Sequence, residues 1–76
     1  MPAARNAERM MADLFKALAH PTRLKILELL KGGELCVCEL IPRLGLEQSN
    51  VSQHLAVLRR EGLVSSYKDG LRVIYR

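Results

Sequence analysis

Proline and glycine divide this 76-residue chain into short pieces, and that punctuation limits its fold more than any other feature. Pro21, Gly32-Gly33, Gly45, Gly62 and Asp69-Gly70 each mark a start, a stop or a turn. The stretches between them have the lengths of single helices or strands. They predict several small elements in one domain spanning residues 1–76. TIM barrels and doubly wound sheets need far longer chains. A domain this small buries only about 60% of the surface its unfolded form exposes. Below ~70–80 residues one core rarely supplies more than ~3–5 kcal/mol without a staple, a metal or a partner chain. Hydrophobic residues make up 49% of the sequence, enough for a packed domain and against disorder. No apolar run approaches the ~20 residues of a membrane span, and no signal-peptide pattern opens the chain. A cytoplasmic protein with no membrane partner is expected.

Residues 1–6 carry no periodic pattern and are expected to be mobile. From Ala7 onward Met11, Leu14, Phe15 and Leu18 recur at i, i+3, i+4 and i+7, which predicts a core-facing helix. Pro21 suits the first position of a second helix. Leu24, Ile26, Leu27, Leu29 and Leu30 make that helix apolar almost all round, so it should be central, and Gly32-Gly33 ends it. Glu34 to Val37 reads as a short strand or an extended approach to a third helix, roughly Val37 to Leu44. Pro42 removes one N–H there, so the helix should be short and its first turns irregular or displaced. Gly45 supplies the turn.

A fourth helix from Gln48 to Glu61 is the clearest element, with an apolar stripe of Val51, Leu55 and Leu58 and Gly62 as its cap. Asp69-Gly70 between Leu63–Lys68 and Leu71–Arg76 is a strong hairpin signal. Alternation would set Leu71, Val73 and Tyr75 on one side and Arg72, Ile74 and Arg76 on the other. The predicted class is α+β, mainly α: about four helices and a C-terminal β-hairpin.

The face of the fourth helix opposite its stripe reads Ser49, Ser52, Gln53, Ala56 and Arg60. Solvated helix faces favour Glu and Lys, so Ser, Asn and Gln here point to selection for something besides helix stability. A short helix, a glycine turn and a second helix with a hydrogen-bonding face form the helix-turn-helix pattern. Asn and Gln can bond adenine N6 and N7 together, and Ser reaches base edges or phosphates. The N-terminal part of such a helix meets the bases, which selects Gln48, Ser49, Asn50, Ser52 and Gln53, with His54 either a DNA contact or a packed histidine. Arg59, Arg60, Lys68 and Arg72 would hold phosphates, and the hairpin would act as a wing. The charge distribution agrees. Residues 1–42 hold six basic and five acidic side chains, whereas residues 43–76 hold six and three, so most of the net +4 lies in the second half.

Three segments resemble the ArsR/SmtB-type repressors. They are Leu14-Phe15-Lys16-Ala17-Leu18-Ala19-His20-Pro21-Thr22-Arg23-Leu24-Lys25-Ile26-Leu27, then Gln48 to Arg59 with Glu61-Gly62-Leu63-Val64, and Glu34-Leu35-Cys36-Val37-Cys38-Glu39-Leu40. The third is similar to the CVC box of the arsenic- and cadmium-sensing branch. The resemblance implies a winged helix-turn-helix homodimer that represses a metal- or metalloid-resistance operon from an inverted-repeat operator on double-stranded DNA. It implies release of that DNA on binding the effector, As(III) or Sb(III) first and Cd or Zn next, with no obligatory cofactor. It also places the first helix in the dimer interface. Two departures stand out: Ile41 occupies the place of a third cysteine, and Arg76 falls within the wing where the family continues into a last, dimer-spanning helix.

Cys36 and Cys38 are the metal-ligand candidates, since thiolates suit soft ions. Regular helix or strand geometry holds residues i and i+2 apart, which predicts two reduced thiols rather than a disulfide. Chelation needs their sulfurs within about 4 Å, and so requires a bend at Val37. Burial as two small hydrophobes is the plain alternative. Zinc on His20 or His54 has no supporting spacing. A redox or reactive-sulfur sensor of the same fold, a winged helix without effector sensing and a thiol oxidoreductase are the competing functions; the last has only the vicinal thiols in its favour.

Overall fold

The structure is a computed structural model that describes residues 2–76, with side chains from Asn6 onward. Helix α1 (Pro2–Leu18) leads into α2 (Pro21–Leu30), strand β1 (Leu35–Cys36), α3 (Val37–Leu44) and α4 (Gln48–Arg60). A hairpin of β2 (Ser66–Asp69) and β3 (Arg72–Tyr75) closes the chain. The sheet is antiparallel in the order β1-β3-β2, with Cys36 opposite Ile74 and Lys68 opposite Val73. The α+β class, mainly helical, is as expected.

The core is one cluster of Ile26, Leu40, Val51, Leu55, Leu58, Val64 and Tyr75. Helix α4 contributes Val51, Leu55 and Leu58, all at 0% exposure, so its stripe faces inward as its spacing requires. Its end is fixed by Gly62 at φ +75°, where Leu63 N–H donates to the Leu58 carbonyl at 2.9 Å and Gly62 N–H to that of Arg59 at 3.0 Å. This is the paired helix stop that a left-handed glycine permits.

Five expectations need correction. Helix α1 begins at Pro2, ahead of the apolar pattern, because Ala3, Ala4 and Arg5 favour helix without any stripe; Met1 lies outside the described residues. The stripe of α1 does not enter the core: Ala17 is buried at 1%, while Met11 and Phe15 are 52% and 60% exposed. Helix α2 is central as its pattern suggests, with Ile26 at 0% exposure and Leu27, Leu29 and Leu30 packed on the core, but it is not buried all round, since Leu24 is 51% exposed. Helix α3 starts regularly at Val37 despite Pro42, because Cys36 and Glu39 cap its first turn reciprocally. Pro42 sits late enough to cost one bond, to the carbonyl of the exposed Cys38. The hairpin loop is Gly70-Leu71 rather than Asp69-Gly70, since Asp69 pairs with Arg72 and Gly70 takes φ +63°. Leu71 is therefore fully exposed at the tip. Ile74 and Tyr75 point to opposite faces of β3 and are both buried, Tyr75 in the core cluster and Ile74 on the face it shares with Cys36 and Tyr67.

Candidate nucleic-acid interface and thiol pair

Helix α4 rotates about 100° per residue, so its polar side chains fall into three stripes. Gln48, Ser52 and Arg59 form one flank, and Ser49, Gln53, Ala56 and Arg60 point outward. Asn50 and His54 lie on the flank nearer α2. All are exposed except His54, which is half-buried. The five short polar candidates thus share one exposed end of α4.

The candidate cations do not form one patch. Across an antiparallel pair directly opposed residues share a face, so Lys68, opposite Val73, and Arg72, opposite Asp69, point to different faces of the wing. Arg72 Nη2 also donates to Glu39 Oε1 at 3.3 Å. Arg60 pairs with Glu61 at 3.5 Å and lines a hollow with Asp13 and Lys16 of α1, away from the wing. Arg59 remains on the Gln48 and Ser52 flank.

His54 looks inward. Its Nδ1 accepts a hydrogen bond from Arg23 Nε at 3.2 Å, and its ring lies 4.4 Å from that of His20. Arg23 also donates through Nη1 to the carbonyls of Lys16 and Ala17, so it ties the end of α1 to α4. Burial, His20 and the Arg23 guanidinium together hold the His54 imidazole below its ordinary pKa of 6.5. His20 caps α2, its Nδ1 accepting from the Thr22 N–H at 3.3 Å. Both histidines thus make hydrogen bonds within the chain.

Cys36 and Cys38 are joined by a disulfide, which corrects the expectation of two reduced thiols. The physical reason is the junction between β1 and α3. Cys36 has the extended conformation of a helix cap (φ −69°, ψ 150°) while Cys38 is already helical, and their Cα atoms lie 5.1 Å apart. A regular strand would hold them roughly 6.5–7 Å apart. The bend at Val37 that chelation would require is built into the fold. Cys36 is buried at 2% and Cys38 is exposed.

Glu39 is the residue that sequence reasoning passed over. Its Oε1 accepts the Cys36 N–H at 3.0 Å and the Arg72 guanidinium at 3.3 Å, so one carboxylate links the cysteine turn to the wing. Its place three residues after the helix cap is the signal that could have revealed it. A cleft of about 360 Å³ then unites the two halves of the site: Cys36, Cys38 and Ile41 on one wall, Gln48 and Ser52 of α4 on another, Arg72 and Val73 on the third. Among the described residues no group of three or more His, Cys, Asp or Glu side chains is arranged to hold a metal ion, and no helix is long and apolar enough to cross a membrane.

Comparison with known proteins agrees with this geometry. A family model described as "Bacterial regulatory protein, arsR family" matches residues 20–66. The chain is 50% identical over 68 residues to the uncharacterized HTH-type transcriptional regulator Rv0081 of Mycobacterium tuberculosis H37Rv, covering 88% of this chain and 60% of that one. It is 52% identical over 65 residues to the arsenical resistance operon repressor of Escherichia coli K12, covering 84% of this chain and 56% of that one. The solution structure of the homodimeric winged helix-turn-helix DNA-binding domain Mb0332 of Mycobacterium bovis superposes with a TM-score of 0.90 at 34% identity, covering 96% of this chain and 68% of that one. The chain thus spans about 60% of the length of the curated relatives it matches.

Proposed function

Because the chain belongs to the arsR family of bacterial regulatory proteins, and is by family a transcriptional regulator rather than an enzyme, we propose that it is a cytoplasmic operon repressor that releases DNA when Cys36 and Cys38 bind a soft ion. The effector is As(III) or Sb(III), with Cd and Zn as weaker candidates, and no obligatory cofactor is needed. The observation that carries this reading is the shared cleft, which sets the cysteine turn against Gln48 and Ser52 of α4 and Arg72 of the wing. A ligand drawn between the two sulfurs acts on the cap of α3, on the Glu39–Arg72 link and on the start of α4 together. Reciprocity requires that DNA weaken effector binding by the same factor, typically ~5–150-fold.

In this reading Gln48, Ser49, Asn50, Ser52 and Gln53 meet base edges, while Arg59, Lys68 and Arg72 hold phosphates. Arg60 and His54 are left with structural duties. Exposed Met10, Met11, Phe15 and Leu24 supply an apolar surface for a second copy, and the M. bovis relative is described as homodimeric. Such a dimer reads an inverted repeat with half-sites about 34–36 Å apart.

The test begins with a duplex selected by the protein from a random pool. Arsenite, antimonite, cadmium and zinc are then titrated into the reduced complex, and DNA release is followed by anisotropy. Release by arsenite or antimonite, lost in Cys36→Ser and Cys38→Ser, is expected; retention of DNA at saturating effector would overturn it. Lys68→Ala should weaken binding to all sequences and make the slope of log K against log salt shallower by about 1. An unchanged slope would remove the wing from the interface.

The disulfide favours a second reading, a thiol redox or reactive-sulfur sensor on the same scaffold. Peroxide or persulfide releasing DNA from the reduced complex, with arsenite inert, would favour it.

A further inference from the structure

Two imidazoles meet where α1, α2 and α4 join, and both use Nδ1 as an acceptor. His54 Nδ1 receives the Arg23 Nε–H at 3.2 Å, and His20 Nδ1 receives the Thr22 backbone N–H at 3.3 Å. Each ring therefore carries its single proton on Nε2. Neither donor can reverse its role, since a guanidinium stays protonated and a peptide N–H only donates. A second proton on either ring must go to Nδ1, where it breaks the bond already made. The ring centroids are 4.4 Å apart, so charge on one ring opposes charge on the other. Burial, His20 and Arg23, in that order, all oppose an imidazolium at His54. Beyond Arg23, a hollow of about 300 Å³ is lined by Asp13 and Lys16 of α1 and by Arg60 and Glu61 at the end of α4. On α3, Glu39 is bonded to Arg72, and Arg43 is exposed in the last turn.

We propose that His20, Arg23 and His54 form an acid-sensitive joint between α1 and the DNA-reading helix α4, and that a proton on His54 opens it and weakens DNA binding. This goes beyond the proposed repressor, rests on its DNA contacts and its α1 dimer surface, and is independent of the thiols. Arg23 holds the carbonyls of Lys16 and Ala17 with Nη1 while Nε holds His54. In a two-fold dimer joined through α1, this one side chain ties the interface to α4. Asn50 stands one helical turn before His54 on the same flank. While the tie holds, the two α4 helices keep the spacing that an inverted repeat needs. Once His54 is protonated Arg23 loses its acceptor, and the reading helices must then be ordered at the expense of binding. The sign separates this joint from simple charge. A proton that only adds a cation beside phosphates tightens binding. A proton that opens the joint loosens it, so the complex holds fewer protons than the free protein and affinity rises with pH.

The experiment measures the affinity of the reduced protein for its selected duplex by anisotropy, at constant salt, in steps from about pH 7.5 to about pH 5.5. Affinity should be level above 6.5 and fall beneath it, by about threefold or more per pH unit. His54→Gln offers Arg23 an acceptor without a titrating ring, so its affinity should stay level throughout. Circular dichroism at each pH checks that both proteins remain folded. The unaltered chain also answers by itself. Reciprocity requires His54 to titrate at a lower pH in the DNA complex than in the free protein, which its imidazole proton shifts report by NMR. Level or tighter binding on acidification, a His54→Gln profile as steep as the parent's, or a His54 midpoint left unmoved or raised by DNA overturns the proposal and leaves the repressor standing. A parent chain that selects no duplex at about pH 7.5 removes the DNA-binding function as well.

Discussion

In α4 the stripe of Val51, Leu55 and Leu58 is wholly buried, whereas in α1 Met11 and Phe15, at the same helical spacing, are 52% and 60% exposed. Both helices carry an apolar face, and only the surroundings separate them. Helix α4 sits against α2, α3 and the hairpin root, so its stripe finds Ile26, Leu40, Val64 and Tyr75. Helix α1 buries only Ala17 fully among its described residues, with Leu14 and Leu18 half-buried, and none of its residues joins the core cluster. Spacing shows that a face is to be covered. It does not say whether the cover comes from the same chain.

The largest effect should come from α4. Leu55→Ala leaves a cavity in a fully buried site and should cost ~2–5 kcal/mol, seen as a lower urea midpoint at every protein concentration. Phe15→Ala should have far less effect on a dilute sample. If the two substitutions cost the same at low concentration, the contrast between the helices is broken.

Next comes association. A surface covered by a second copy makes stability depend on protomer concentration. The melting temperature of the unaltered chain should rise with concentration, and Phe15→Asp should abolish that rise while the dilute fold is kept. Sedimentation equilibrium would report the same loss directly. A Phe15→Asp protein that associates like its parent would assign α1 some other role.

The sequence made the core helix legible because Val51, Leu55, Leu58 and Gly62 agree on one element, and pattern, burial and cap all follow from it. The polar end of α4 was legible for the same reason: Gln48, Ser49, Ser52 and Gln53 are poor choices for an ordinary solvated face. What stayed hidden depends on contacts between distant residues. His54 pairs with Arg23 across 31 positions, and Arg72 with Glu39 across 33, so neither partner could be read locally. The disulfide was hidden by a single residue. Regular geometry keeps residues i and i+2 apart, and only the switch from extended Cys36 to helical Cys38 brings them together. The buried pair Ile74 and Tyr75 likewise broke alternation: they point to opposite faces of β3, Tyr75 into the core cluster and Ile74 to the face it shares with Cys36 and Tyr67, so burial on both faces depends on tertiary packing.

The smallest expected effect lies where the two helices are joined. Arg23 holds the Lys16 and Ala17 carbonyls of α1 with one end of its guanidinium and His54 of α4 with the other. Burial, His20 and Arg23 keep the His54 imidazole below 6.5, so it resists protonation in the fold more than in the unfolded chain. Between its folded pKa and 6.5 the unfolded state therefore holds more protons, and stability rises with pH across that window. Acidification from pH 7 should lower the urea midpoint as the pH falls below about 6.5, with the loss levelling off once the folded imidazole also titrates. His54→Gln removes the titration, so its profile should be flatter than the parent's over the same range. Since the bond from Arg23 also steadies α1, protonation should loosen α1 before α4, read as faster amide exchange at Lys16 and Ala17 than at Leu55. Equal acceleration in both helices would mean that Arg23 and His54 belong to the core of α4 and that α1 is anchored elsewhere.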